Sequence, residues 1–234
     1  MMQHVERHLV DTHLWVAAAA AGLELFSSHA LGLPLLMAPA ALVAASTLLI
    51  YRADGWIDKD RPSRGVLPVV LALGVFAWSW TLAPDAVRWL VGFGALPCLV
   101  YGWRWRGRRC LRELPGIKPF FVSGALIVST IGIPCLWSTQ GVDPVRLNIL
   151  AGMLFALLMG NVTLFDLRDQ GADAGRGIVT VPVVLGANKT RYGIAICSVL
   201  LGLAPLLTMQ RVFSAQIHHC FTMAFVGTAI CAVS

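Results

Sequence analysis

The sequence predicts an all-α, polytopic transmembrane helical bundle, as judged from its composition, its long apolar runs and the distribution of its basic residues. Of the 234 residues, 57% are apolar and only 13% are charged, and the mean hydropathy is +0.74. An ordinary soluble domain has roughly 45–50% apolar and about 25% charged residues. Apolar runs such as 14–23 and 33–50 lack the polar face that a helix of a soluble core would show. We therefore expect a single integral membrane domain over residues 1–234.

Eight apolar segments of membrane-spanning length follow one another along the chain. They lie near residues 9–26, 33–53, 66–83, 86–103, 119–137, 145–165, 190–209 and 213–233. If the N-terminus is cytoplasmic, all of the 18 lysine and arginine residues except Arg88, Arg146 and Arg211 fall on the cytoplasmic side. This distribution obeys the positive-inside rule. We expect a protein of the bacterial cytoplasmic (inner) membrane, with its N-terminus and its chemically active loops on the cytoplasmic face.

The charge and cysteine patterns exclude other classes of protein. The net charge of +6 is explained by membrane topology, so we expect no nucleic-acid partner. The six cysteines stand singly, without the spacing of a metal site, and are expected to be small buried apolar residues. Glu24 lies inside the first span, where an ionisable residue is costly and suggests a function.

Two acidic segments stand out, each at the end of an apolar run. The first acidic segment is YRADGWIDKDRP (residues 51–62), and its candidate ligands are Asp54 and Asp58. The second is FDLRDQGADAGRGIVTVPVVLG (residues 165–186), which contains Asp166, Asp169 and Asp173. The eight-span topology places both segments on one face of the membrane.

Residues four apart share a face of a helix, so Asp54 is expected beside Asp58, and Asp169 beside Asp173. Like charges at that spacing repel each other unless a cation lies between them. Several oxygen ligands favour Mg²⁺, which keeps coordination positions open for water and phosphates. Because arginines surround the two pairs, the pattern predicts a site for a diphosphate. For Asp166, two interpretations stay open: a third ligand, or an ion pair with a loop arginine.

The segment from Asp166 to Gly186 resembles the second aspartate motif of the UbiA superfamily of membrane prenyltransferases, including the glycine, threonine and proline that follow the aspartates. The segment LRELPGIKPFF (residues 111–121) resembles the basic connection between the fourth and fifth helices of that family. The resemblance extends from about the second span to the seventh. It implies a helical bundle whose central cavity opens sideways to lipid and accepts an isoprenoid diphosphate and a lipophilic, commonly aromatic, acceptor.

The resemblance also implies roles for individual residues in a Mg²⁺-dependent transfer of the isoprenoid group. The catalytic, metal-binding residues would be Asp54, Asp58, Asp169 and Asp173. The substrate-binding residues would be Arg61, Arg112, Lys118, Asn161 and Asp166.

One departure from the family pattern leaves other functions open. Ile50 stands where the first aspartate motif of the family has an asparagine, so one polar ligand is missing. The chain is then an active prenyltransferase, or a catalytically impaired relative that acts as a membrane binding or scaffold protein. A third possibility is a transporter or ion-conducting bundle, although transporters more often place their ionisable groups in the middle of the membrane.

Overall fold

The computed structural model describes residues 13–57, 66–102, 111, 114, 116–175, 177–208 and 212–233, with the backbone alone for 54–57, 99, 102 and 204–208. Within these residues the regular structure is helical and contains no strand, which confirms the all-α prediction. The helices are α1 (Leu14–Leu31), α2 (Met37–Ile57), α3 (Leu67–Leu82), α4 (Asp85–Gly102), α5 (Ile117–Ile127), α6 (Ile133–Trp137), α7 (Pro144–Gly175), α8 (Val181–Leu185), α9 (Ala187–Thr208) and α10 (Ala215–Val233). A π-helical turn, Val128–Gly132, joins α5 to α6.

Among the described residues, four helical segments are long and apolar enough to cross a bilayer. They are Leu14–Leu31, Ile117–Trp137, Pro144–Gly175 and Ala215–Val233. The second of them comprises α5, the π-helical turn and α6. A hydrocarbon core of about 30 Å requires about 20 helical residues, which these segments provide. The chain is therefore a helical protein of the membrane type, and its apolar helices associate with the lipid bilayer.

The chain forms two compact units. The first contains residues 1–103 and 128–142, and the second contains residues 104–127 and 143–234. The boundary falls between α5 and the π-helical turn, so one continuous helical segment contributes to both units.

In the first unit, small residues bring α1 close to its neighbours. Ala17 of α1 packs with Leu48 of α2 and Ala72 of α3 in a buried cluster. Glu24 lies on the same face of α1, fully buried, and its Oε1 accepts a hydrogen bond of 2.9 Å from the hydroxyl of Ser28. This bond compensates in part for the removal of a carboxyl group from water.

The π-helical turn Val128–Gly132 packs against α1 and α2. Its residues Thr130 and Ile131 are buried. Gly132 permits a close approach to α4, because a Cβ atom at this position would lie 3.2 Å from Cδ2 of Leu90. The first unit is therefore tightly packed where α6 begins.

In the second unit, α7 is the central helix and contacts α5, α8, α9 and α10. Its 32 residues correspond to about 48 Å, well beyond the roughly 30 Å of a hydrocarbon core. The rings of Phe120 in α5 and Phe155 in α7 lie 6.0 Å apart, centroid to centroid. The C-terminal third of α7 carries the aspartates of the second acidic segment. Because α7 is longer than the hydrocarbon core is thick, this third can extend beyond the apolar part of the helix.

A glycine ends α7 and turns the chain towards α8. Gly177 has a φ of 71°, in the left-handed region that favours glycine. Its N–H bonds to the carbonyl of Ala174 at 3.1 Å, and the N–H of Ile178 bonds to the carbonyl of Asp173 at 2.9 Å. These two bonds form a Schellman motif, which satisfies carbonyl groups at the end of the helix.

Candidate functional site

The structure describes all three aspartates of the second acidic segment. Asp166, Asp169 and Asp173 lie on about the last three turns of α7. Two other predicted site residues, Lys118 and Asn161, are also described.

The other predicted site residues are not described with their side chains. For Asp54 the description covers the backbone alone, at the end of α2, and Asp58, Arg61 and Arg112 lie outside the described residues. The contacts of the first acidic segment therefore stay a prediction.

The ammonium group of Lys118 lies close to two of the described carboxylates. Its Nζ atom is 2.5 Å from Oδ1 of Asp166 and 4.0 Å from Oδ2 of Asp173. The two aspartates are about two helical turns apart, so they share one face of α7. Lys118 reaches this face from the first turn of α5, which packs against α7. Part of the positive charge that the carboxylates require is thus supplied by the chain itself.

The carboxylate pair is removed from solvent. Asp166 is 0% exposed and Asp173 is 6% exposed, whereas the side chain of Lys118 keeps 31% of its surface exposed. Buried charges are costly unless they are paired, so Asp166 depends on the nearby ammonium group. Its Oδ2 atom has no hydrogen-bond partner among the described residues. That oxygen retains the capacity to accept a further donor or to bind a cation.

The middle aspartate of the segment has a different partner. Asp169 accepts hydrogen bonds from Nε and Nη2 of Arg168, at 3.0 and 3.2 Å, and its place beside Asp173 stays a prediction. The guanidinium group of Arg168 also lies over the ring of Phe165, 5.3 Å from its centroid. Across the described residues, no group of three or more histidine, cysteine, aspartate or glutamate side chains is close enough to hold a metal ion. The magnesium site of four aspartates therefore stays a prediction.

Asn161 faces away from the carboxylates. Its Oδ1 atom lies 3.5 Å from the hydroxyl of Thr228, so this side chain contacts α10. Five residues of an α-helix rotate by about 140° relative to the starting position, which separates the face of Asn161 from that of Asp166. In this structure Asn161 connects α7 to α10, and its predicted contact with substrate stays a prediction.

A mostly apolar groove of about 310 Å³ lies along a neighbouring face of α7. Its lining includes Met159, Gly160 and Thr163 of α7 and Thr190, Ile194 and Ser198 of α9. Thr163 precedes Asp166 by about one turn, so the face of α7 that lines the groove adjoins the face that carries the carboxylates. An apolar chain in this groove would therefore have one end near the charged cluster.

The short helix α8 forms one side of this groove. Its residues Val181 and Leu185 contribute to the lining. The side-chain amide of Gln170 donates a hydrogen bond of 2.8 Å to the carbonyl of Pro182, which holds α8 against α7. The threonine, proline and glycine that follow the aspartates in the sequence thus belong to the segment that shapes the groove.

No family model, curated protein or solved structure matches this chain. Its function is therefore inferred from its own residues and from the geometry of the site.

The pairing of Lys118 with Asp166 is the main feature of the site that the sequence did not predict. Lys118 was expected to contact a diphosphate, and Asp166 to bind a metal or an arginine. One signal was available: Lys118 stands at the start of an apolar run, where an ammonium group near the membrane requires an acidic or interfacial partner.

Proposed function

We propose that this protein is a UbiA-type membrane prenyltransferase, which uses Mg²⁺ to transfer an isoprenoid group from an allylic diphosphate to a lipophilic or aromatic acceptor. The observation that carries the proposal is the buried pair of Asp166 and Asp173 beside Lys118, at the end of a membrane-type helix. Burying two like charges on one helical face is costly for a protein that only needs to fold. A bound cation would offset this cost, and the cation would in turn bind a diphosphate.

The proposal includes an architecture of about eight spans around a central cavity that opens to lipid. It also includes a location in the bacterial cytoplasmic membrane, with the N-terminus and the site on the cytoplasmic face. The distribution of lysine and arginine in the sequence supports this orientation. A lateral opening suits a donor with a long apolar tail, since the tail then stays in contact with lipid.

The donor set of the second acidic segment suits magnesium. It consists of carboxylate oxygens, and one of them, Oδ2 of Asp166, has no hydrogen-bond partner among the described residues. Asp166, Asp169 and Asp173 would hold the ion together with the predicted ligands Asp54 and Asp58. When bound, magnesium supplies positive charge that stabilises the departing diphosphate.

The chain's own basic and apolar groups would do the remaining work. Lys118, with the predicted contacts Arg61 and Arg112, would bind the oxygens of the diphosphate through charge-assisted hydrogen bonds. The apolar lining of the groove would hold the isoprenoid chain and keep water away from the allylic cation, which would otherwise be hydrolysed. Asp166 would orient Lys118 before the donor binds.

A second candidate function is a membrane binding or scaffold protein of the same ancestry that no longer catalyses transfer. Ile50 favours this candidate, because an aliphatic side chain in the place of an asparagine cannot coordinate a metal ion. Ile50 is 40% exposed in α2 and lies about one turn before Asp54. The ammonium group of Lys118 also compensates part of the buried negative charge, which reduces the need for a metal.

Release of pyrophosphate by the purified protein in lipid nanodiscs tests the proposal. The protein is incubated with allylic diphosphates of several chain lengths and lipophilic aromatic acceptors, with Mg²⁺ or with EDTA. The prenyltransferase proposal predicts release that depends on Mg²⁺ and falls by about 10²-fold or more in Asp173→Asn, since transition-state charge loses its support. The matched control is Asp143→Asn, an exposed carboxylate that precedes α7 and lies 4.0 Å from Arg146, and it retains activity.

The same assay separates the second candidate. If the wild-type protein releases no pyrophosphate from any donor, the prenyltransferase proposal is wrong. Release by an Ile50→Asn variant in that case would identify the missing ligand as the cause of the lost activity.

A further inference from the structure

We propose that Lys118 is a built-in counter-ion of the site, which a divalent cation must displace from Asp166 and Asp173 in order to bind there. This inference rests on the proposed function only for the identity of the cation. It assigns Lys118 two successive positions: on the carboxylates when the site holds no metal, and away from them when a divalent cation binds.

The first argument is geometric. The Nζ atom lies 2.5 Å from Oδ1 of Asp166 and 4.0 Å from Oδ2 of Asp173, so a single ammonium group occupies the space that both carboxylates face. A metal ion bound to both carboxylates would need the same space. Oδ2 of Asp166 is fully buried and has no hydrogen-bond partner among the described residues, so a ligand oxygen is already present beside the ammonium group.

The second argument is electrostatic. When both carboxylates are ionised, their two negative charges face the one positive charge of Lys118, which leaves a net negative charge in a buried site. That charge still attracts a divalent cation. However, the cation and the ammonium group repel each other strongly at distances of a few ångströms in a medium of low dielectric constant. The two cations therefore compete for the carboxylates.

The third argument concerns the freedom of Lys118 to move. Lysine has a long, flexible stem and a compact charge, whereas arginine would hold a carboxylate by a rigid fork. The side chain of Lys118 is 31% exposed, although the carboxylates that it contacts are buried. It can therefore leave the carboxylates without unfolding α5, and its ammonium group becomes available for the oxygens of a diphosphate.

Selective labelling of amino groups in the wild-type protein tests this inference. The protein in nanodiscs is treated briefly with an amine-reactive acetylating reagent over a range of Mg²⁺ concentrations, and the modification of each lysine is measured by mass spectrometry. The amino group of Lys118 lies against two buried carboxylates, so it is shielded from the reagent for as long as this contact holds. Lys189, an exposed residue on the lining of the groove, serves as an internal reference.

We expect Mg²⁺ to increase the labelling of Lys118 severalfold and in a saturable manner, while the labelling of Lys189 stays unchanged. In an Asp166→Asn variant, the labelling of Lys118 should already be high without Mg²⁺ and should respond little to it. If Mg²⁺ leaves the labelling of Lys118 unchanged or lowers it in the wild-type protein, the inference is wrong.

Binding of Mn²⁺ alone, measured by electron paramagnetic resonance, gives an independent readout. Removal of the competing charge in Lys118→Met should tighten Mn²⁺ binding by about tenfold or more. The matched variant Lys189→Met should bind Mn²⁺ as the wild-type protein does. Equal or weaker binding by a folded Lys118→Met variant would overturn the inference.

These tests do not depend on catalysis. If magnesium releases Lys118 but no pyrophosphate is formed from any donor, the prenyltransferase proposal fails and the counter-ion inference stands. If transfer occurs but the labelling of Lys118 does not respond to Mg²⁺, the prenyltransferase proposal stands and the counter-ion inference fails.

Discussion

The ion pair between Lys118 and Asp166 leads to an asymmetric prediction about stability. The two partners differ in exposure: Asp166 is 0% exposed, whereas the side chain of Lys118 keeps 31% of its surface exposed. Lys118→Met and Asp166→Asn both remove the ion pair, but they leave different charges behind. We expect Lys118→Met to be the more harmful substitution.

The magnitudes follow from the burial of the group that remains. Lys118→Met leaves a fully buried carboxylate without its cation, and breaking a buried pair in this way costs about 3–5 kcal/mol. Asp166→Asn leaves a lysine that reaches solvent and lies 4.0 Å from Asp173, so the expected cost is about 1 kcal/mol. The difference of about 2 kcal/mol or more corresponds to about 4–8 °C in apparent Tm for a chain of this size. The double variant, Lys118→Met with Asp166→Asn, leaves neither member of the ion pair without its partner. Its stability should therefore resemble that of Asp166→Asn.

The assay is thermal unfolding in one mild detergent, monitored by circular dichroism. The wild-type protein, the two single variants and the double variant are compared. Arg168→Met is the matched control, since it removes the more exposed ion pair with Asp169 on the same helix. Pairs of that kind are worth about 1 kcal/mol or less, so its apparent Tm should change by only a few degrees. If Asp166→Asn is at least as harmful as Lys118→Met, or if the two effects simply add in the double variant, the buried pair does not stabilise the second unit as described.

Two further predictions concern glycines of the second unit. Gly177→Ala forces a Cβ atom into the left-handed conformation at the end of α7 and should cost about 1–2 kcal/mol, lowering the apparent Tm by several degrees. Gly175→Ala, two residues earlier in helical backbone with open space around it, is its control and should be neutral or slightly stabilising. Gly202→Ala should cost about 1–3 kcal/mol, because the new methyl group would lie 3.1 Å from Cβ of Phe225 and push α9 away from α10. Gly193→Ala is its control, because this glycine also lies in α9 but has no atom within 4 Å of the new Cβ. It should unfold like the wild-type protein in the same thermal scan. An equal fall in apparent Tm for Gly193→Ala and Gly202→Ala would contradict the close packing of α9 and α10.

Local pattern was enough to predict the class of the protein and the position of its acidic segment. Hydropathy is a sum over neighbouring residues, so the apolar helices Leu14–Leu31 and Pro144–Gly175 follow from the sequence. The helical period by itself likewise places Asp166 and Asp173 on one face of their helix. The turn at Gly177 follows the common preference for glycine at helix ends.

Contacts between helices were beyond the reach of the same reasoning. Periodicity predicted that Asp169 and Asp173 share a side of α7, but it could not show that Lys118 of α5 approaches Asp173. The sequence likewise could not show that the side chain of Asn161 contacts Thr228 of α10. For Lys118 and Asn161 the partner depends on which neighbouring helix lies against which face of α7, and this is a property of the packed chain.

The sequence by itself determined that this is a helical membrane-type protein with carboxylates clustered at the end of one long helix, because hydropathy and helical period act over a few residues. Only the tertiary structure decided that the cation facing Asp166 is Lys118, and that a groove adjoins the carboxylates. Lys118 and Asp166 are far apart along the chain, and only the packing of α5 against α7 brings their charges together. The physical reason is that an ion pair depends on distance in space, which local sequence does not specify.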